Sequence, residues 1–328
     1  MEFLLAEWLG KPVWMWLGFH VIVAILLAFD LGVLQKHTGD LGVRESLLLS
    51  LFYVTLGLIF GGWVWWYMSP QSGMEYLTGF VIEKSLSMDN VFVIAMIFGY
   101  FAIPKRSQYR VLFWGILAVI LLRGLMIGVG AALVENFGWV LYIFAAFLVI
   151  TGVKMLFTGD ENYDVENNPI YAFMRKRFRM TSELHGEKFF VRLPAPETGK
   201  AVLFMTPLFV VLVMVNIADL IFAVDSVPAI FAITTDTFIV YTSNIFAILG
   251  LRALYFALAA MVESFKYLKY ALAVVLIFIG GKIFVADMLG LAKIPPSVSL
   301  SVTFAILAAG VVWSLWKTSG AQNKAKEG

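Results

Sequence analysis

Nine apolar runs follow one another along this chain, at 13–34, 45–67, 76–101, 110–134, 138–157, 203–232, 237–260, 268–289 and 297–316. Each is close to the roughly 20 residues that a helix rising about 1.5 Å per residue needs to cross about 30 Å of hydrocarbon. In lipid every backbone N–H and C=O must be bonded internally, which makes segments of this length helices. Hydrophobic residues make up 61% of the chain and the mean hydropathy is +0.88, against roughly 45–50% apolar residues in soluble domains. The expected fold is an all-α polytopic membrane protein of nine transmembrane helices. Trp and Tyr gather at several run ends, as in "WVWWYM" from Trp63 to Met68, where such rings suit the membrane interface.

Other features narrow the chemistry. A net charge of +2 leaves no footprint for nucleic acid, and the absence of cysteine removes disulfides, thiolate ligands and dithiol redox pairs. The start, "MEFLLAEWLGKP", lacks the basic region and cleavage site of a signal peptide, so the first helix is expected to stay as an anchor. The one long polar break, 158–200, holds "DENYDVENNP" and "RKRFRM" and reads as a linker or small surface helix, so that 1–328 is one membrane domain. Lys36, Arg44, Lys105, Arg106, Arg110, the bases from Arg175 to Lys200, Lys266, Lys269 and those of the tail 317–328 fall on one side of the membrane; Lys11 and Lys293 fall on the other. The positive-inside rule therefore places the N-terminus outside and the C-terminus in the cytoplasm.

Five basic residues remain inside the runs, and four of them pair up in a repeat. "EKSLSMDNV" (Glu83 to Val91) overlays "DLIFAVDSV" (Asp219 to Val227), matching Glu83 to Asp219, Asp89 to Asp225 and Asn90 to Ser226. "ILAVILLRG", which holds Arg123, overlays "IFAILGLRA", which holds Arg252. Leu141 to Met155 overlays Lys269 to Ile283, matching Gly152 to Gly280 and Lys154 to Lys282. Segments 76–157 and 203–289 are thus read as a duplicated three-helix unit. Because three is odd, the second copy enters the membrane from the opposite face, giving inverted repeats. The helices of 13–67 and the helix 297–316 stand outside the duplication.

A charge at mid-bilayer costs about 2.5–3.5 kcal/mol on insertion scales, so Glu83, Asp89, Asp219 and Asp225 need partners or a ligand. They can act as structural bridges to Arg123, Arg252, Lys154 and Lys282, since each repeat holds two acids and two bases and Lys84 stands apart. Against that, a buried ion pair is seldom more stabilising than an apolar replacement. The other reading is a cation site. Asn90, Ser226, Asn216, Ser243 and Asn244 add neutral oxygens, and oxygen-rich sites suit Mg²⁺, Ca²⁺ and Mn²⁺. Met88 offers a thioether that would favour manganese, although most methionines fill apolar space. Among the histidines only His20 lies in a run, and it reads as a packing or interface residue. Asp30 and Glu45 read as solvated helix-end charges or gate residues, and Asp287 and Glu135 as boundary charges.

Residues six apart on a regular helix lie about 9 Å apart along the axis and about 120° around it, so the two acids of one copy cannot face one ion. Either a helix breaks, for which Pro228 marks a place in the second copy, or there are two stations. Glu83, Ser87 and Asn90 share one face; Ser85 and Asp89 share another.

These motifs, with "IPKRSQYRVLFWGILAVILLRG" and the "GVKM" and "GGKI" helices, resemble the TerC family of bacterial integral membrane proteins, and most its nine-span Alx branch, over roughly 12–316. The resemblance implies a non-enzymatic exporter of Mn²⁺ in the bacterial inner membrane, with Glu83, Asp89, Asp219 and Asp225 as its acidic positions. Alternating access is the expected mechanism, with Asn90, Ser226, Asn216, Asn244 and Met88 flanking the ion and the bases as counter-charges. Mn²⁺ is cargo, no cofactor is held permanently, and protons are the expected counter-ion because no nucleotide-binding loop is present. The family also supports a second expectation: a partner that supplies metal to exported proteins through the 158–200 loop, or a tellurite or redox stress factor without transport of its own.

Overall fold

The computed structural model describes residues 2–36, 43–157, 168–181, 183–194, 201–258, 268–290 and 294–327, and the side chains at 2–3, 31, 33–36, 43, 89, 92 and 319–327 lie outside the described set. A short helix α1 (Glu2–Leu5) and a two-stranded ribbon, β1 (Glu7–Trp8) with β2 (Lys11–Pro12), precede α2 (Val13–Lys36) and α3 (Val43–Tyr67). Next come α4 (Pro70–Tyr100), α5 (Lys105–Asn136) and α6 (Val140–Phe157). Then α7 (Pro169–Arg177) and the antiparallel hairpin β3 (Phe190–Pro194) with β4 (Ala201–Met205) lead to α8 (Pro207–Phe231), α9 (Thr237–Ile248), α10 (Leu251–Leu258), α11 (Leu268–Met288) and α12 (Pro296–Glu327).

The chain is an all-α polytopic membrane protein. Among the described residues, eight segments are long and apolar enough to cross a membrane, counting α9 and α10 together as Thr237–Ala257. At 31 residues α4 also has the length, but "EKSLSMDN" keeps it out of the apolar class. Its start is fixed by local chemistry: Pro70 opens the first turn and the Ser69 hydroxyl accepts from the Ser72 N–H. Outward faces are apolar, as at Leu121, Ile150 and Val312, which suits lipid contact.

The Thr237–Ala257 segment is the most enclosed, 89% buried against 22% for α6. Around it α4 packs on α9 and α8, α5 on α8, and α6 on α11. An aromatic cluster of Phe19, Phe60, Phe238, Tyr241 and Phe246 joins α2 and α3 to α9.

Two expectations about helix continuity are overturned. The helix α8 runs unbroken through Pro228; the proline lies within the last turn, where its missing N–H removes one bond rather than dividing the helix. The interruption falls instead inside the run 237–260, at Leu249 and Gly250. Gly250 takes φ +81°, and a Cβ there would lie 2.7 Å from Tyr53 Cβ, so only glycine fits. Within the 158–200 loop, α7 is the small helix the composition implies. The hairpin β3–β4 is not among the elements the sequence predicts.

Candidate functional site

The largest fully buried side chain among the described residues is a charged one, Arg123 of α5. Its guanidinium reaches four other side chains. Nη1 donates to Glu83 Oε1 on α4 at 2.8 Å and to Ser226 Oγ on α8 at 2.7 Å, with Asn244 Oδ1 of α9 at 3.5 Å. Nε and Nη2 fork onto the two carboxylate oxygens of Asp219 on α8, at 3.2 and 3.3 Å. That planar, two-toothed match is what a guanidinium provides and an ammonium does not.

Local helix geometry explains how these groups meet. On α4, Glu83, Ser87 and Asn90 are spaced along one face and all are buried. On α8, Asp219 and Ser226 are two turns apart and point the same way. Across the repeat overlay, Asn90 Nδ2 donates to Asp219 Oδ1 at 2.9 Å, and its counterpart Ser226 accepts from the same Arg123 Nη1 that bonds Glu83. The cluster holds two carboxylates and one guanidinium. Glu83 Oε2 and Asn90 Oδ1 make no hydrogen bond among the described residues, and neither does Asn216 Oδ1, one turn before Asp219. Buried acceptors without protein partners are uncommon, and such oxygens are commonly satisfied by water or an ion.

Of the four acids, the structure brings Glu83 and Asp219 together. Asp225, about 120° around α8 from Asp219, turns to α6, where it bonds Thr151 and faces Lys154. Asp89 lies on α4, with its side chain outside the described residues. Among the described residues no group of three His, Asp or Glu is gathered as metal ligands. Met88 packs between two apolar clusters, and Asn216 donates back to Leu212 O at 2.7 Å.

The bases divide. Arg252 does not reach the Glu83 and Asp219 carboxylates; it is paired with the carboxylate of Asp30 on α2. Asp30, expected at a solvated helix end, is 6% exposed. The signal was present in the sequence, since Arg252 needed a counter-charge and Asp30 was a further acid inside an apolar run. Lys282 donates to Ser299 of α12 at 3.1 Å. Lys84, beside Glu83, donates to the Ala247 carbonyl at 3.1 Å, in the last turn of α9, where carbonyls lack helical partners. His20 bonds the Trp16 carbonyl at 2.7 Å and Tyr241 Oη at 3.2 Å, as a packing residue would.

Residues 68–322 match the family model described as integral membrane protein TerC family. The chain belongs to the TerC family. The matched region begins just before α4, so it holds the Arg123 cluster and leaves α2 and α3 outside. An uncharacterized membrane protein of Rickettsia bellii (strain RML369-C) is 47% identical over 92% of this chain and 96% of its own length. A protein of Escherichia coli (strain K12) named "Putative membrane-bound redox modulator Alx" is 46% identical over 94% of this chain and 95% of its own. The uncharacterized membrane protein STKORF319 of Myxococcus xanthus is 44% identical over 94% of both. No solved structure matches the chain.

Proposed function

We propose that this TerC family member is a secondary transporter that exports a divalent cation, Mn²⁺, from the cytoplasm across the inner membrane by alternating access. The observation that carries the reading is the buried cluster of two carboxylates and one guanidinium, with Glu83 Oε2 unpartnered among the described residues. One negative charge is left over, inside protein, on four packed helices. A divalent ion entering between Glu83 and Asp219 would find anionic oxygens from both and neutral oxygens from Asn90, Ser226, Asn216 and Asn244, a donor set suited to a hard cation. Arg123 fills that place in this conformation. Its charge repels an incoming ion, so loading moves the guanidinium aside and unloading brings it back. Asp225 beside Thr151, with Asp89 as its repeat counterpart, makes a second station off the main cluster. Protons are the counter-ion of this proposal, taken up by carboxylates that a departing metal leaves bare.

Inverted repeats give the rocking motion, with α4 as the third of nine spans, the N-terminus outside and the tail in the cytoplasm. The redox description belongs to the relatives; this chain has no cysteine for dithiol exchange.

The hairpin favours a second reading. Phe190 and Leu203 stand 41% and 56% exposed on its two strands, a surface on which a protein partner receiving the metal would dock.

The deciding experiment is Mn²⁺ flux into sealed proteoliposomes holding the purified chain under an imposed pH gradient, beside Glu83→Gln and Asp219→Asn proteins of verified folding. Flux in the wild type and its loss in both variants is expected. A wild type that moves no Mn²⁺ in either direction overturns the exporter and transfers weight to the docking reading.

A further inference from the structure

The interruption between α9 and α10 is tied down from three sides, and none of these ties is used by the cluster around Arg123. Tyr53 of α3 lies against Gly250 so closely that no Cβ fits there. The Lys84 ammonium holds the Ala247 carbonyl just before the interruption. Just after it, Arg252 bonds both the carboxylate and, at 3.2 Å, the backbone carbonyl of Asp30, and its guanidinium lies 5.9 Å from the centre of the Phe113 ring. Tyr53 also hydrogen-bonds the Asp30 carboxylate. One tyrosine therefore touches both the hinge residue and the anchoring acid.

Arg252 is the repeat counterpart of Arg123, yet the two do opposite things. Arg123 sits on the continuous helix α5 and enters the carboxylate cluster. Arg252 follows the interruption and is drawn to an acid outside the duplicated units and outside the family-matched region 68–322. A buried ion pair adds little stability over an apolar pair, and its best-attested use is to select one arrangement among several. The hinge is close to the site: Asn244, six residues before Gly250 on α9, accepts from Arg123, and Lys84 adjoins Glu83.

We propose that α10 is a gate hinged at Gly250, and that Asp30 is the latch that holds it closed by docking Arg252. When the pair separates, α10 swings about the glycine, the end of α9 loosens, and the Glu83 and Asp219 carboxylates become accessible. The purpose of the gate rests on the transport reading; its opening does not, and can be measured without flux.

The chain has no cysteine, so single reporters carry no background. Ala247→Cys reports on the hinge and Leu148→Cys, on α6, serves as control; both positions are 0% exposed. Their labelling by a small thiol reagent is compared in otherwise wild-type, Asp30→Asn and Asp30→Glu proteins. Asp30→Asn is expected to speed labelling at Ala247→Cys by about tenfold while Leu148→Cys stays within about twofold, as local opening requires. Asp30→Glu keeps the charge and stays slow. Should Asp30→Asn fail to insert, Tyr53→Phe, which removes only the hydroxyl on Asp30, is read in its place with the same expectation. Unchanged labelling at Ala247→Cys, or an equal rise at both reporters, overturns the gate, the latter because it marks general loosening. A wild type without Mn²⁺ flux but with this labelling pattern keeps the gate and removes the transport reading.

Discussion

Gly152 of α6 and Gly280 of α11 are set against one another's helices through equivalent positions. A Cβ on Gly152 would meet the Ala273 carbonyl at 2.7 Å and Ile277; one on Gly280 would meet the Ala145 carbonyl at 2.5 Å and Val149. In the repeat overlay Ala145 corresponds to Ala273 and Val149 to Ile277, so the contact reads the same from either side. Such reciprocity is what a two-fold axis between the repeats produces, and it supports the inverted arrangement. It depends on small residues that let helix backbones approach.

Gly152→Val and Gly280→Val are expected to destabilise the protein alike, each by about 1–3 kcal/mol, because an added side chain must push the facing backbone away. Gly281→Val is the control, since open space surrounds that position. Denaturant unfolding in detergent measures all three. A large loss at one repeat glycine and none at the other would contradict the two-fold relation.

Removing Arg123 leaves Glu83 and Asp219 facing each other in a buried site. Arg123→Met is expected to cost about 3–5 kcal/mol, the scale for deleting one member of a buried pair. Adding Asp219→Asn to that variant recovers part of the loss, because one of the two stranded charges is gone. Arg123→Lys keeps the charge but loses the fork onto Asp219 and falls between. Thermal unfolding followed by size-exclusion chromatography gives the order; equal stability of the single and double variants would mean that the two acids do not sense each other.

What could be seen in the sequence followed the strongest forces. Lipid demands long apolar helices, so those runs announce themselves, and charges inside them are costly enough that Glu83, Asp89, Asp219 and Asp225 stand out with four bases, of which only Glu83, Asp219 and Arg123 meet in one cluster among the described residues. Where the outcome turned on a single backbone angle or a distant partner, the sequence was silent. Pro228 looked like a break because proline breaks helix interiors, but near a helix end it removes one bond. Gly250 reads like any membrane glycine, and neither its positive φ nor the Tyr53 side chain packed against it, nearly two hundred positions away in the chain, is visible in the sequence. Asp30 reads as solvated because it lies near the end of its run, and only the packing of α10 on α3 brings Arg252 within reach of it. The charges that identify α4 as functional also remove it from the apolar helices, which is why composition and length count eight spans there and the pattern of runs counts nine.

The last expectation concerns competition between Arg123 and the metal. If Mn²⁺ binds between Glu83 and Asp219 in the folded protein alone, it stabilises the fold, by about 2.7 kcal/mol at a hundredfold excess over Kd. Glu83→Gln and Asp219→Asn should abolish that gain, while Asp225→Asn, turned toward Thr151 and Lys154, should leave most of it. Arg123→Met separates two accounts of the arginine. As an occupant that the ion must displace, its loss lowers basal stability yet lets Mn²⁺ act at lower concentration. As scaffolding that shapes the carboxylates, its loss weakens both. A Mn²⁺ titration of the melting temperature on the four variants, with Mg²⁺ as comparison, decides between them, and a Mn²⁺ response that disappears in Arg123→Met would remove the displacement step from the mechanism.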